Sequence, residues 1–401
     1  MTDCFVDAHT DINSKKVLIL VHDLNIGGVG TSLVNVCRLL KSQNCKIVIK
    51  TTSRNVSEQL LSRIDNDIRV EICDEPRYPF FEILPYIKNF YESGMWTARN
   101  TPRKVYNHFV RKNERDQYDI EMAFYYGRPT KAICGSTNLN SRKIMWIRLG
   151  MMDDNYYPGF LSKESAIEGY NKFDKIIGVS EDVCDNFIGF TGIKKEKVVA
   201  IHNYLDKENI DRCLQEKCEL TKTSFTISYV CRLVPVKNVM ALIHVIEMLQ
   251  KEGLDCACWL VGDGPLKNEI ESYIKEHGLR NIIITGYQKN PHKYVKASDL
   301  YVSTSLMEGY PNTIADSMYI GTPIVSTRCV GAPNILRNGK YGILTDFDEE
   351  SIYQGIRKMM TDKATYNYYK TVIRDFDFEK EAEEISRDLL KAIMGEKNNE
   401  R

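Results

Sequence analysis

The segment from Ser305 to Asp316 carries the densest set of residues that could do chemistry. Its two carboxylates, Glu308 and Asp316, stand eight residues apart, with a glycine directly after the first. A helix that begins at about Pro311 or Asn312 would point its free N–H groups at an anion. Both carboxylates could then face one bound ligand and accept hydrogen bonds from its hydroxyl groups. An acid that only complements a helix dipole would explain one of the carboxylates, but not the whole segment.

Two further groups have the character of phosphate ligands. Arg232 and Lys237 flank the junction between a predicted strand and a predicted helix, where two cations suit a diphosphate. A surface salt bridge is the alternative for this pair. Gly27 and Gly28 lie in a second strand-to-helix turn, where backbone N–H groups can approach a phosphate. A tight turn without a ligand is the alternative there, because Leu33 stands where the dinucleotide fingerprint needs its third glycine.

The candidate metal ligands form no convincing set. Asp-x-Asp strings occur at 65–67, 346–348 and 375–377, but such strings are common in loops. The seven histidines and twelve cysteines include no His-x-x-x-His and no Cys-x-x-Cys pair. We therefore expect no metal and no other cofactor, and cysteines that pack as small apolar residues in a reducing compartment.

These residues need a frame of alternating strands and helices, and the sequence predicts one. The apolar run Val17–Val21, the glycine turn, a helix over Thr31–Leu40 and a strand over Lys46–Lys50 form a βαβ unit. Further strands of this half are predicted at 69–73, 120–124, 143–147 and 175–179. This alternation indicates a parallel sheet that continues through the first half of the chain.

The alternation restarts after Asn203. Strands are predicted at 225–230, 257–261, 281–285, 300–303, 323–326 and 342–345. Strands separated by helices of about 10–15 residues indicate a second parallel sheet that is covered on both faces. We therefore predict an α/β fold of two doubly wound, Rossmann-like domains, at 1–203 and 204–375, with a C-terminal helix at about 376–395 that packs back on the first. The facing strand ends would enclose a ligand-binding cleft.

Length, charge and composition narrow the class of protein. A chain of 401 residues and 46.2 kDa suits two domains, and 43% hydrophobic with 27% charged residues is typical of globular proteins. Its 54 basic and 54 acidic residues give no net charge, which argues against a general affinity for nucleic acid. No apolar stretch approaches the ~20 residues that span a bilayer, and no basic-then-apolar leader opens the chain. We therefore expect an intracellular protein.

One segment departs from this balance. Residues 99–150 contain eleven Lys and Arg against four Asp and Glu. Aromatic residues lie within this segment or just before it: Phe80, Phe81, Tyr86, Phe90, Tyr91, Trp96, Tyr106 and Phe109. Cations interleaved with aromatics over 80–150 suit an anionic membrane surface, or a lipid-diphosphate acceptor held there. An ordinary solvated basic face is the alternative, and no nucleic-acid recognition motif accompanies the segment.

A series of short motifs makes the chain resemble the family 4 retaining glycosyltransferases of the two-Rossmann GT-B fold. The matching pieces are Gly27-Gly28, Ile176-Ile-Gly-Val-Ser180, His202-Asn203, Arg232 with Lys237, Val261-Gly-Asp-Gly-Pro265, Gly286, Glu308-Gly-Tyr-Pro-Asn312 through Asp316, Gly321-Thr-Pro-Ile-Val-Ser326, Gly331 and Gly342. The resemblance runs from about Lys15 to Asp346 and is strongest in the second half. So many motifs at compatible spacing are far more specific than one glycine loop.

The resemblance implies a role for each of the charged candidates. Arg232 and Lys237 would neutralise the diphosphate of the donor as negative charge develops on the leaving group. Glu308 matches the first acid of the family's Glu-x7-Glu motif, which contacts the donor sugar. Asp316 stands in place of the second Glu, which holds the ribose hydroxyls of the nucleotide. Asp is one methylene shorter, which implies a longer or water-mediated ribose contact.

The resemblance also implies a set of backbone contacts and one departure. The further donor-binding residues would be Gly27, Gly28, Gly309, Tyr310, Pro311, Asn312 and Thr313. Family members often carry a histidine near the reacting sugar carbon, but Arg148 stands at about that position here and Asp153 follows it. These two residues are candidates for the acceptor side. Either the donor phosphate acts as the base or another group replaces the histidine, and no covalent nucleophile is evident.

The function that the resemblance implies is a retaining, metal-independent transfer of a sugar from a nucleotide diphosphate-sugar to a hydroxyl of a saccharide or lipid-linked saccharide. The family's setting is the assembly of bacterial-type surface polysaccharides or glycolipids. We therefore expect a cytoplasmic protein, peripheral on the inner face of the cell membrane. The alternatives are a nucleotide-sugar 2-epimerase of the same fold and a non-catalytic sugar-nucleotide-binding partner of a transferase. Turnover separates them, because only a transferase needs the acceptor.

Overall fold

The computed structural model describes residues 14–25, 27–54, 56–73, 101–150 and 157–395. Its first lobe is built on a seven-stranded parallel sheet with the order β3-β2-β1-β4-β5-β6-β7. The strands are β1 (Lys16–Leu20), β2 (Lys46–Thr51), β3 (Arg69–Ile72), β4 (Ile120–Ala123), β5 (Arg142–Ile147), β6 (Lys175–Gly178) and β7 (Val198–Ala200). The central strand β1 is buried on both faces from Val17 onward, which explains its unbroken apolar run.

The helices of the first lobe cover this sheet. They are α1 (Gly28–Ser42), α2 (Glu58–Leu61), α3 (Pro102–Phe109), α4 (Arg128–Cys134), α5 (Lys163–Tyr170) and α6 (Glu181–Thr191). Helix α1 begins three residues earlier than the sequence predicts. The reason is Gly27, which caps the helix with a backbone φ of 151°. Residues other than glycine rarely adopt this conformation.

The second lobe is built on a six-stranded parallel sheet with the order β10-β9-β8-β11-β12-β13. Its strands are β8 (Phe225–Val230), β9 (Cys256–Val261), β10 (Ile282–Gly286), β11 (Leu300–Ser303), β12 (Ile324–Thr327) and β13 (Ile343–Thr345). The helices of this half are α7 (Lys207–Cys213), α8 (Val239–Lys251), α9 (Lys267–Glu276), α10 (His292–Ala297), α11 (Asn312–Ile320), α12 (Ala332–Ile335), α13 (Glu349–Thr361) and α14 (Lys363–Arg374). The predicted class, two doubly wound parallel sheets, is confirmed.

The last helix, α15 (Phe378–Met394), returns to the first lobe. It packs on β5, β6 and α1, and its buried residues Leu389, Ala392 and Ile393 belong to the hydrophobic core of the first lobe. The chain therefore crosses between the lobes twice, once after β7 and once before α15.

Each sheet has one point at which the winding direction reverses, and ligands of such folds bind outside the strand ends at this point. In the first sheet the reversal lies between β1 and β4, and in the second it lies between β8 and β11. The loops that follow β1, β8 and β11 carry the glycine turn, Arg232 and Glu308 respectively. The topology thus places the predicted site residues at the two reversal points.

Candidate active site

The candidate site is a cleft of about 590 Å³ between the two lobes. The predicted residues that line it are Gly27, Gly28, Arg232, Lys237, Glu308, Tyr310, Pro311, Asn312 and Thr313. The lobes touch at its edge, where a Cβ added to Gly28 would lie 2.6 Å from the Asn312 amide nitrogen. The structure therefore brings the glycine loop of the first lobe against the start of α11 in the second lobe.

Lys237 and Glu308 form an ion pair inside this cleft. Lys237 ends a short 3₁₀ turn whose backbone is fixed from two sides, because Tyr229 and Thr304 both donate hydrogen bonds to the Lys237 carbonyl, at 2.8 and 3.1 Å. Glu308 accepts a second hydrogen bond from the Ser305 hydroxyl at 2.8 Å. Both charged side chains are about one-fifth exposed, so the pair is partly desolvated but remains accessible from the cleft.

Arg232 differs from Lys237 in its exposure and in its ion pairing. It is exposed, and among the described residues no carboxylate pairs with it. A cation at the end of β8 without a partner is available to an anionic ligand, and guanidinium suits a phosphate because it can donate two parallel hydrogen bonds. The described side chains that line the cleft include three cations, Arg232, Lys237 and Lys289, against the two acids Asp263 and Glu308. The start of α11 adds the positive end of a helix dipole.

Gly309 lies where the loop after β11 meets the first lobe. A Cβ at this position would fall 1.8 Å from the carbonyl oxygen of Arg148, so no side chain fits there. The next residue, Tyr310, packs against the cores of both lobes, and its ring lies 5.1 Å from that of His202. These contacts explain the order of residues in the Glu308-Gly-Tyr-Pro-Asn312 motif. Glu308 supplies the charge, the glycine allows the close approach to the first lobe, the tyrosine packs against both cores, and Asn312 begins α11.

Asp316 lies beside the part of the cleft that Glu308 lines. It lines an adjoining cavity of about 460 Å³, which Gly27, Gly28 and Asn312 also line. There it pairs with His292 at the start of α10, at 3.4 Å. Burial alone would lower the pKa of His292, but the hydrogen bonds with Asp316 and Cys213 outweigh it and raise the pKa to about 9. Asp316 therefore already has a cationic partner, which the sequence did not reveal.

Arg148 follows β5 directly and is buried beneath the contact between the lobes. Its guanidinium bonds to Phe124, Ser32 and Asn203, not to a carboxylate. Asp153, its companion in the sequence analysis, lies outside the described residues. Of the basic aromatic segment, residues 80–100 also lie outside them, whereas Tyr106 and Phe109 are core residues of α3, so neither can contribute to a surface.

Neither a metal cluster nor a membrane span was found in the part of the chain that the structure describes. No group of three His, Cys, Asp or Glu side chains there could hold a metal ion. No helix there is both long and apolar enough to cross a bilayer.

Comparisons with known proteins identify the family. The model of the glycosyl transferases group 1 family matches residues 198–375. Over 292 residues the chain is 30% identical to the N-acetylgalactosamine-N,N'-diacetylbacillosaminyl-diphospho-undecaprenol 4-alpha-N-acetylgalactosaminyltransferase of Campylobacter jejuni. The alignment covers 70% of this chain and 74% of the relative. The chain belongs to the group 1 glycosyl transferases. It is a glycosyltransferase, and neither the epimerase nor the non-catalytic alternative is favoured.

Solved structures show the same fold. TarM of Staphylococcus aureus matches this glycosyltransferase with a TM-score of 0.72 at 16% identity, over 97% of this chain and 100% of TarM. HepE of Anabaena, solved in complex with UDP and glucose, matches with a TM-score of 0.68 at 18% identity, over 94% and 99% of the two chains. These matches confirm the predicted two-lobed GT-B architecture.

Sequence reasoning missed two residues that contact helix α11 of this glycosyltransferase. His292 and Asn203 contact Asp316 and Asn312, which lie 24 and 109 residues away in the chain. Asn203 belonged to a motif of the resemblance, and that motif could have marked it as a candidate. His292 follows a proline at a helix start and carries no motif, so no local signal distinguished it.

Proposed function

We propose that this glycosyltransferase moves a sugar from a UDP-sugar to a hydroxyl group with retention of the anomeric configuration and without a metal ion. The observation that carries the proposal is the accessible Lys237–Glu308 pair in the cleft that the start of α11 lines, together with Arg232, which no carboxylate of the described residues pairs with. HepE, which shares the fold, was solved in complex with UDP, and this supports uracil as the base of the donor nucleotide.

The charges of the cleft suggest how the donor binds. The diphosphate would lie between Arg232 and the first turn of α11, and Lys237 would exchange Glu308 for a phosphate oxygen. This exchange would free the Glu308 carboxylate to accept hydrogen bonds from the sugar hydroxyls. As the bond to the sugar breaks, negative charge grows on the leaving phosphate, where both cations and the helix N-terminus stabilise it.

These groups could replace a divalent metal, because they supply positive charge where the leaving group develops its own. The base that takes the acceptor proton would then be the donor phosphate, since Arg148, in place of the family's histidine, cannot accept a proton. Attack of the acceptor on the face that the phosphate leaves would retain the configuration at the sugar carbon.

The acceptor class follows from the C. jejuni relative, whose name gives a diphospho-undecaprenol-linked saccharide as its acceptor. We propose a polyprenyl diphosphate-linked saccharide for this chain also. The exposed basic residues Arg103, Lys104, Arg111 and Lys112 supply charge that suits such a diphosphate or the anionic membrane surface around it. The setting would be the inner face of the cell membrane.

The proposal is tested with UDP, GDP and ADP in thermal-shift measurements, each with and without EDTA. We expect UDP to raise the melting temperature equally in both conditions. Transfer from UDP-GalNAc, UDP-GlcNAc, UDP-Gal and UDP-Glc to a polyprenyl diphosphate-linked disaccharide is then followed by mass spectrometry. NMR of the product should show the anomeric configuration of the donor. Inversion, dependence on a divalent ion, or selective stabilisation by GDP or ADP would each overturn the corresponding part.

A further inference from the structure

Arg148 is a buried cation without a counterion among the described residues. The residue is 8% exposed, and its guanidinium lies over the rings of Phe124 and Trp146, at 4.1 and 5.1 Å from their centroids. Within the described part of the chain its hydrogen bonds go to neutral oxygens, and its Nη2 has no hydrogen-bond partner there. A buried charge in such surroundings is unfavourable for folding, which indicates that the position serves another purpose.

The hydrogen-bond partners of Arg148 form a network that extends from the first lobe to Asn312 in the cleft. Nε donates to the Phe124 carbonyl and Nη1 donates to the Asn203 Oδ1, both at 3.2 Å. Ser32 of α1 accepts from the same Nη1 and donates to the same Oδ1, at 3.3 Å. The Asn203 Nδ2 then donates to the Oδ1 of Asn312, at 2.9 Å, and Asn312 is the first residue of α11.

Because a guanidinium only donates hydrogen bonds, it fixes which atoms donate and which accept in this hydrogen-bond network. Arg148 can only donate, so the Asn203 amide must turn its oxygen toward Arg148 and its nitrogen toward Asn312. A neutral imidazole at this position could donate or accept, and would not impose one orientation.

We propose that Arg148 is a positioning residue, which orients Asn203 so that it holds the N-terminus of α11 against that of α1 and thereby assembles the donor site. The inference rests on the proposed function, because it takes that cleft as the place where the diphosphate binds. It assigns a role in donor binding to a residue that the resemblance placed on the acceptor side.

The test uses the nucleotide among UDP, GDP and ADP that stabilises the wild-type chain. Arg148→Met keeps the length and apolar stem but removes the donors. It should weaken nucleotide affinity, measured by calorimetry, and raise KM for the sugar donor, each by about tenfold. Arg142→Met is the matched control, because Arg142 begins the strand that Arg148 follows, and its guanidinium donates to the Ala392 carbonyl at the opposite end of β5 from Arg148. It should change neither quantity.

A double-mutant cycle separates positioning from general destabilisation. If Arg148 acts through Asn203 on Asn312, the double variant Arg148→Met/Asn312→Ala should bind nucleotide no more weakly than the weaker single variant. Asn203→Ala should reproduce the loss and, combined with Asn312→Ala, show the same lack of additivity, which keeps the test valid if Arg148→Met fails to fold. A purely structural role would lower the melting temperature and the active fraction but leave the donor KM unchanged.

The outcomes are distinguishable. Additive losses in both cycles, or a folded Arg148→Met variant with wild-type donor KM, would overturn the positioning role and leave the proposed function intact. A wild-type chain that is stabilised by GDP or ADP but not by UDP would overturn the proposed base only, and the cycle would then use that nucleotide. Binding of none of the three would overturn both proposals.

Discussion

Lys237 and Glu308 form an ion pair in the cleft, and the diphosphate binding that we propose would separate them. Without a ligand each charge satisfies the other, which limits the penalty for partly burying both. A bound diphosphate would compete with Glu308 for the Lys237 ammonium, so the carboxylate that the pair releases becomes available when the sugar arrives. Arg232 needs no such exchange, because no described carboxylate pairs with it.

Glu308→Gln should separate binding from turnover. The amide keeps the shape of the side chain but no longer holds Lys237 by charge, so UDP affinity should rise by about two- to fivefold. Transfer should fall by at least about 100-fold, because the charge that faces the sugar is lost. Calorimetry and initial rates measure the two effects. Glu247→Gln, which disrupts the Lys251–Glu247 pair on α8, is the control. Wild-type turnover in a folded Glu308→Gln variant would contradict the assigned role.

The His292–Asp316 pair should make stability depend on pH. The pKa of His292 is raised from 6.5 to about 9, so protonation favours the folded state. The resulting stabilisation, at most about 3 kcal/mol, is complete below pH 6.5 and is lost as the pH rises through about 9. Urea unfolding of the wild type and His292→Gln between pH 6 and 10 should therefore converge at high pH. Asp316→Asn should flatten the same part of the profile. A constant difference across this range would refute the assignment.

At the scale of elements, the loop from β11 to α11 connects the chemistry to the fold. The loop runs from Ser303, the last residue of β11, to Asn312, the first residue of α11, and it places Glu308 in the cleft. Gly309 makes this possible, because only hydrogen at its Cα tolerates the Arg148 carbonyl. Gly309 therefore allows the loop to approach the first lobe this closely.

Gly309→Ala should force this loop away from the first lobe. The added Cβ would fall 1.8 Å from backbone that cannot rotate aside, so either the loop or the lobes must shift. We expect transfer to fall at least tenfold, with a lower melting temperature. Gly189→Ala is the control, because Gly189 lies in α6 with no atom within 4 Å of an added Cβ. That change should stabilise the chain by about 0.5–1 kcal/mol. Full activity in Gly309→Ala would show that the contact is dispensable.

The sequence predicted these elements well and their contacts poorly, for a physical reason. A strand such as β1 is buried on both faces, so its apolar run is visible locally. The start of α11 is marked by proline and asparagine for equally local reasons. The pairs Lys237–Glu308 and His292–Asp316 join residues on different elements, and only the packed sheet fixes which of them meet. The sequence marked Arg148 as a candidate site residue, but it did not predict which residues its side chain contacts.

On the scale of the whole molecule, the lobes are not two successive pieces of chain. Helix α15 follows the entire second lobe in sequence, yet Leu389, Ala392 and Ile393 complete the core beneath β5 and β6. The second crossing ties the lobes together away from the cleft. The contacts at the cleft edge, Gly28 with Asn312 and Asn203 with Asn312, then determine how closely the lobes meet over a donor.

Ile393→Ala tests this arrangement, because the residue is fully buried in the first lobe although it lies near the end of the chain. Truncating a buried Ile leaves a cavity, so stability should fall by about 2–5 kcal/mol. If α15 belongs to the first lobe, hydrogen exchange should accelerate in β5 and β6 more than in β8 and β9. Leu161→Ala, at an exposed position of the same lobe, should change neither. Equal acceleration in both sheets would mean that the two lobes unfold as one unit, which would contradict the assignment of α15 to the first lobe alone.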